Sequence, residues 1–140
     1  MGGFPQSLRS RWAGGDTTIG AWLTYREPLL AEIAALAGYD YVCIDVQHGL
    51  MDLDTATAML ASTARTGTVP MARVPWNEPG IIGRMLDAGA LAIVIPMVNS
   101  ADEARRAVES CRYSPMGSRS FGPSLPNNRY GPTYPSRAND

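Results

Sequence analysis

From Thr18 onward, short runs of apolar residues alternate with longer stretches in which apolar positions recur every three or four residues. That alternation predicts strand, helix, strand, helix. The first run, Ile19 to Leu23, leads to Glu27-Pro28, which places a proline in the first turn of a helix. Apolar positions at Leu29, Leu30, Ile33, Leu36 and Ala37 give this helix its inward face, and Gly38 stops it. The second run, Tyr41-Val42-Cys43-Ile44, is continuously apolar. Such a strand needs cover on both faces, as in a parallel sheet flanked by helices. Asp52 caps the next helix, with Leu53, Ala56, Met59, Leu60 and Ala64 inward and an end near Gly67, and Val69 to Val74 follows as the third strand. Glu78-Pro79 opens a third helix with Ile81, Ile82, Met85 and Leu86 inward and Gly89 at its end; Leu91 to Ile95 is the fourth strand. Ser100 and Glu103 have the spacing of a capping box for a fourth helix carrying Ala104, Ala107, Val108 and Cys111.

The four strands recur about every 24 residues, a βα repeat, whereas a closed eight-stranded barrel takes about 250 residues. Four units leave an open sheet or part of a barrel as the alternatives. Beyond Arg112 the composition turns to Pro, Gly, Ser, Arg and Asn, and no periodic element can be placed. So long a stretch without secondary structure is unusual in a compact domain, and it reads as an ordered functional loop. Its segment Arg112 to Pro123 could wrap an anionic ligand with backbone amides and Arg119, or form a plain interface loop.

Composition narrows the chemistry. Hydrophobic residues make up 45% of the 140 and charged ones 18%, with a formal net charge of −1, so there is no bulk field to hold a nucleic acid. No apolar run reaches the length of a membrane span and residues 1 to 18 carry no secretory pattern; the chain is expected to be cytoplasmic. Cys43 and Cys111 stand alone and read as buried free thiols. All twelve basic residues are arginine, so this chain offers no lysine for a Schiff base or a Walker phosphate loop, and it has no Gly-x-Gly-x-x-Gly run. Residues 105 to 140 hold six arginines against two acids, a mildly basic end.

Polar residues gather where the apolar strands end, the face on which parallel βα architectures bind ligands. Strand two runs into Asp45-Val46-Gln47-His48-Gly49, placing the single histidine three residues past a carboxylate. An imidazole so placed can move protons or ligate a metal, or it can be a surface or capping residue. Strand three ends at Arg73, which reads either as a structural ion pair with Asp45 or Asp87 or as a fork for a carboxylate or enolate oxygen.

An ordered set of motifs covers nearly all of residues 18 to 140: Gly20-Ala21-Trp22-Leu23, Ala37-Gly38-Tyr39-Asp40, Ile44-Asp45-x-x-His48-Gly49, Arg73-Val74-Pro75-Trp76, Leu86-Asp87-Ala88-Gly89-Ala90, Pro96-Met97-Val98 and Arg112-Tyr113-Ser114-Pro115-x-Gly117-x-Arg119. In these the chain resembles the HpcH/HpaI aldolase/citrate lyase family, the metal-dependent class II pyruvate aldolases. The resemblance implies an α/β TIM (β/α)8 barrel, of which this chain carries about the first four βα units: an N-terminal extension over 1–17 and the N-terminal half of the aldolase domain over 18–140. It implies reversible retro-aldol cleavage of a 4-hydroxy-2-oxo acid to pyruvate and an aldehyde.

By the same resemblance His48 would handle the proton on the reacting hydroxyl or on a metal-bound water, oriented by Asp45. Arg73 would bind the keto or enolate oxygen, and Asp87 would support the site from the same or a neighbouring subunit of a homo-oligomer. Gln47 stands where many relatives have glutamate and removes one acid beside His48. The resemblance further implies a divalent metal, Mg²⁺ or Mn²⁺ or similar. Its ligands, a glutamate ending strand five and an aspartate after strand six, are expected beyond residue 140, and none is expected in this chain. A half barrel leaves strand edges unpaired, so the 140-residue chain in isolation is expected to be poorly soluble, oligomeric or inactive. Two rival readings are an acyl-CoA ester lyase of the citrate lyase type, which would want a pocket for CoA phosphates, and a non-catalytic fragment or assembly module.

Overall fold

The computed structural model describes residues 7–139. Four strands, β1 (Gly20–Leu23), β2 (Tyr41–Asp45), β3 (Val69–Arg73) and β4 (Ala92–Val94), alternate with helices α2 (Pro28–Leu36), α3 (Leu53–Thr63), α4 (Pro79–Asp87) and α5 (Ala101–Cys111). The strands form one parallel sheet in the order β1-β2-β3-β4, with Gly20 opposite Tyr41, Tyr41 opposite Val69 and Met71 opposite Ala92. Strand order equals chain order, as in the first half of a barrel. β1 and β4 each have one strand partner among the described residues.

Each of these four helices begins where a side chain satisfies its free amide groups. Glu27 accepts from Leu29 N, Asp52 from Thr55 N, and Glu78 from both Gly80 N and Ile81 N. Ser100 accepts from Glu103 N, but Glu103 returns its bond to Asn99 N at 2.7 Å, one residue before the cap. Pro70 is accommodated inside a central strand because its carbonyl accepts from Leu91 N and the β3–β4 pairing starts one residue later.

Side chains alternate across the sheet, so register decides which of them meet. Val42, Ile44, Ala72 and Val74 join Ala31, Ala34, Met59, Leu60, Ile82 and Met85 in the main core beneath the helices. Cys43, Val69 and Met71 lie on the other face with Tyr41, Ala92 and Val94. Gly20 faces that way too: a Cβ there would lie 2.0 Å from the Tyr41 ring. Both cysteines are free; burial, with Asp45 adding to it, pushes the Cys43 thiol up to about 12.

The structure adds one element that the sequence reading left open and revises two expectations. The N-terminal extension includes a helix, α1 (Leu8–Ala13), whose Leu8 is buried against Cys43, Val69 and Met71. It covers the same sheet face that carries the strand-end polar residues. On α2, Leu30 packs against the core as expected, but Leu29, Ile33 and Leu36 are uncovered among the described residues, while Ala31, Ala34 and Ala35 are buried. The small alanine face lets the helix approach the sheet and α3 closely, leaving the larger side chains on the outer flank. The segment after Arg112 contains two short helices, α6 (Ser124–Tyr130) and α7 (Tyr134–Arg137). Tyr113, Tyr130 and Tyr134 form a small core of their own there.

Candidate active site at the carboxyl ends of the strands

β2 and β3 end side by side, with Asp45 opposite Arg73. Both follow the alternation of Cys43 and Met71, so both point to the face opposite the helices. The Asp45 side chain is 1% exposed and that of Arg73 22%. Arg73 forks onto the carboxylate, Nε donating to Oδ1 at 2.9 Å and Nη2 to Oδ2. Three more donors complete the set around Asp45: Gln47 N at 3.0 Å and His48 N at 3.1 Å on Oδ1, and Trp22 Nε1 at 3.1 Å on Oδ2. Burial pushes the Asp45 carboxyl up, but the Arg73 fork and the His48, Trp22 and Gln47 donors outweigh it and hold it well below the usual carboxylate range.

The turn carrying His48 is built by the same carboxylate. Asp45 Oδ1 collects two successive amides, and Gly49 N donates to the Asp45 carbonyl at 3.1 Å. Glycine is required at 49 because a Cβ would come within 2.1 Å of that carbonyl oxygen. Leu50 N then donates to Thr24 O, tying the turn to the end of β1. His48 is exposed at its tip and Gln47 is half-buried.

Sequence and structure therefore differ over how Asp45 acts on His48. The expected orientation of the imidazole by Asp45 is replaced by a bond to the His48 main chain, because Arg73 and Trp22 occupy the outer carboxylate oxygen. Asp45 positions the loop and not the ring. For Arg73, the ion-pair alternative with Asp45 is present, and it leaves ligand binding open. A guanidinium has five N–H donors and Asp45 takes two, so three remain directed elsewhere.

Asp87 is not part of this cluster. It ends α4, and α4 runs back to the start of β4, so Asp87 lies at the opposite end of the sheet from His48 and Arg73. Its Oδ1 accepts from Arg119 Nη2 at 2.6 Å. The Arg119 side chain is 1% exposed, lies 4.4 Å over the Tyr113 ring, and bonds Tyr134 Oη. The expectation that Arg119 and its loop wrap an anionic ligand is corrected accordingly: this cation is buried inside the fold. Around it Tyr130 Oη donates to Gly89 O at 2.7 Å and Arg129 to Ala88 O, so the basic end clasps the carboxyl end of α4.

Trp22 is the residue that sequence reasoning passed over. Its signal was available: it alternates with Gly20 on β1 and so faces the same side as Cys43 and Asp45. The Arg73 guanidinium lies 5.1 Å from the centre of its ring.

Among the described residues no three His, Cys, Asp or Glu side chains come together to hold a metal ion. Asp45, with five donors already on its two oxygens, does not fit as a ligand. No helix of the described residues is long and apolar enough to cross a membrane.

Comparison with known proteins agrees with this layout. The chain is 39% identical over 137 residues to a hydroxypyruvate/pyruvate aldolase of Roseovarius nubinhibens, covering 96% of this chain and 53% of that protein. It is 37% identical over 138 residues to a 5-keto-4-deoxy-D-glucarate aldolase of Salmonella paratyphi A, covering 97% and 54%. The crystal structure of an HpcH/HpaI aldolase from Desulfitobacterium hafniense superimposes with a TM-score of 0.82 at 26% identity, over 94% of this chain and 52% of that one. The chain thus spans about half the length of the curated relatives it matches, and its four βα units correspond to a partial TIM barrel. The HpcH/HpaI aldolase/citrate lyase pattern matches residues 18–137, and with the parallel βα sheet and its polar strand ends in agreement, the chain belongs to that family.

Proposed function

We propose that the protein of which these residues are part is a carbon–carbon lyase that cleaves a 4-hydroxy-2-oxo acid to pyruvate and an aldehyde. The observation that carries this reading is Arg73: a cation fixed at the strand-end face by a buried carboxylate, with three N–H groups left over, beside the turn that carries the exposed His48. In the cleavage the bond between C3 and C4 breaks and its electron pair becomes the enolate of pyruvate. The C4 hydroxyl loses its proton and becomes the aldehyde carbonyl. Arg73 binds the C2 oxygen on which charge develops, and a guanidinium already oriented by Asp45 needs little reorganisation to do so. His48, at the exposed tip of its turn, takes the hydroxyl proton, and a proton delivered to C3 of the enolate, from this imidazolium or from water, completes pyruvate. Asp45 holds the Arg73 guanidinium and the main chain of the His48 turn, and transfers no proton.

Residues 7–139 do not by themselves fit a divalent cation, so a cation of this reaction would take its protein ligands elsewhere. Asp87, at the far end of the sheet, can support the site only across a subunit boundary. Arg119, buried on Asp87, is not available to a CoA phosphate.

In the complete protein His48→Ala and Arg73→Ala should each lower pyruvate-forming cleavage by at least ~10²-fold, the scale of a lost acid–base or charge-stabilising group. Near-parental rates in both variants reject the assignment.

A further inference from the structure

Arg73 is held from two directions, and only one of them is Asp45. The Trp22 side chain makes two separate contacts with the pair: its ring lies under the guanidinium, 5.1 Å from centroid to Cζ, and its Nε1 donates to Asp45 Oδ2 at 3.1 Å. The carboxylate oxygen that receives this indole bond is also the one that receives Arg73 Nη2. Trp22 therefore constrains both members of the ion pair. The fork fixes the guanidinium in the plane of the carboxylate, the indole N–H fixes that plane, and the ring face blocks the guanidinium from swinging out of it. Such support is called for because the fork uses only one edge of an arginine that is 22% exposed, on a long side chain with many rotamers.

The geometry points to Trp22 as a positioning residue for Arg73, acting on the reaction through the guanidinium and not by touching the substrate. This rests on the reading of Arg73 as the group that binds the substrate oxygen. It explains why an indole, with both a polarisable face and a donor, occupies this position on β1. A leucine would supply neither contact, and a phenylalanine only the face.

The test is a double-mutant cycle in the complete protein, read as pyruvate released from a 4-hydroxy-2-oxo acid, with kcat and KM measured separately. Trp22→Leu should lower kcat by about tenfold or more with the oxoacid KM changed less than about threefold, and Trp22→Phe should recover part of that loss. In an Arg73→Met background, where no guanidinium is left to position, either Trp22 substitution should cost less than about twofold further. Equal costs for the Trp22 changes in the two backgrounds overturn the inference, since a residue that contacts substrate directly would act independently of Arg73. If Trp22→Leu does not fold, Trp22→Phe alone decides between these outcomes by the same comparison. Arg73→Met that retains cleavage within about threefold of the parent overturns the reading of Arg73 itself, a result distinct from additivity on top of a large Arg73 effect.

Discussion

Replacing Asp45 by asparagine changes one atom type and should have an effect far larger than its volume suggests. The carboxylate is 1% exposed and accepts five hydrogen bonds, three on Oδ1 and two on Oδ2. An amide has one acceptor oxygen. Placed at the Oδ1 site it keeps the Gln47, His48 and Arg73 Nε donors, but its NH2 then confronts Trp22 Nε1–H and Arg73 Nη2, donor against donor. The reverse orientation is worse, with three donors opposed. Losing one partner of a buried ion pair costs about 3–5 kcal/mol, and because Arg73 is partly reached by water the lower end applies, about 3 kcal/mol. Urea denaturation of the complete protein at pH 7 should show this as a lower midpoint at unchanged slope.

The pH dependence provides a second check on the same pair. Asp45 titrates lower in the folded protein than in the unfolded chain, so its stabilisation is complete above the unfolded value of about 4 and is lost as pH falls from there toward the folded value. Asparagine cannot titrate. The gap between parent and variant should therefore be widest near neutrality and narrow below about pH 4. A difference under about 1 kcal/mol at pH 7, or a gap that stays constant down to pH 3, would refute the view that this carboxylate is an ionised structural anchor.

Two further substitutions probe the packing that presents the site. Gly20→Ala forces a methyl against the Tyr41 ring and should cost about 1–3 kcal/mol by denaturant midpoint; Tyr41→Leu should relieve most of it, and a full cost in that background would show the contact to be irrelevant. Arg119→Met leaves Asp87, which is 33% exposed, without its cation and should cost about 2 kcal/mol while opening residues 113–139 to limited proteolysis; an unchanged cleavage pattern would mean that the clasp is not what holds that end.

Much of this protein was legible along the chain because the interactions responsible are local. The helix starts at Glu27, Asp52, Glu78 and Ser100 are bonds between residues two or three apart, so residue type and spacing identify them. The strands show because a parallel strand covered on both faces must be apolar throughout, as Tyr41 to Ile44 are. The same logic located His48 and Arg73, since polar residues that directly follow buried strands emerge at one end of the sheet.

What the chain order could not disclose was decided by contacts between distant segments. Arg73 and Asp45 are 28 residues apart, Trp22 and Asp45 are 23, and Arg119 and Asp87 are 32. Periodicity predicted the inward stripe of α2 at its large residues, but only packing against the sheet and α3 selects the alanine face. The end of the chain has no repeat to read because its order comes from side chains bonding to remote main chain, such as Tyr130 to Gly89 and Asn139 to Tyr113. Sequence alone determined the four βα units and their strand-end loops; tertiary structure determined the order of the chain's last segment and which charges meet. A hydrogen bond or ion pair requires two groups within about 3 Å, and the chain brings such groups together only after the sheet has set their register.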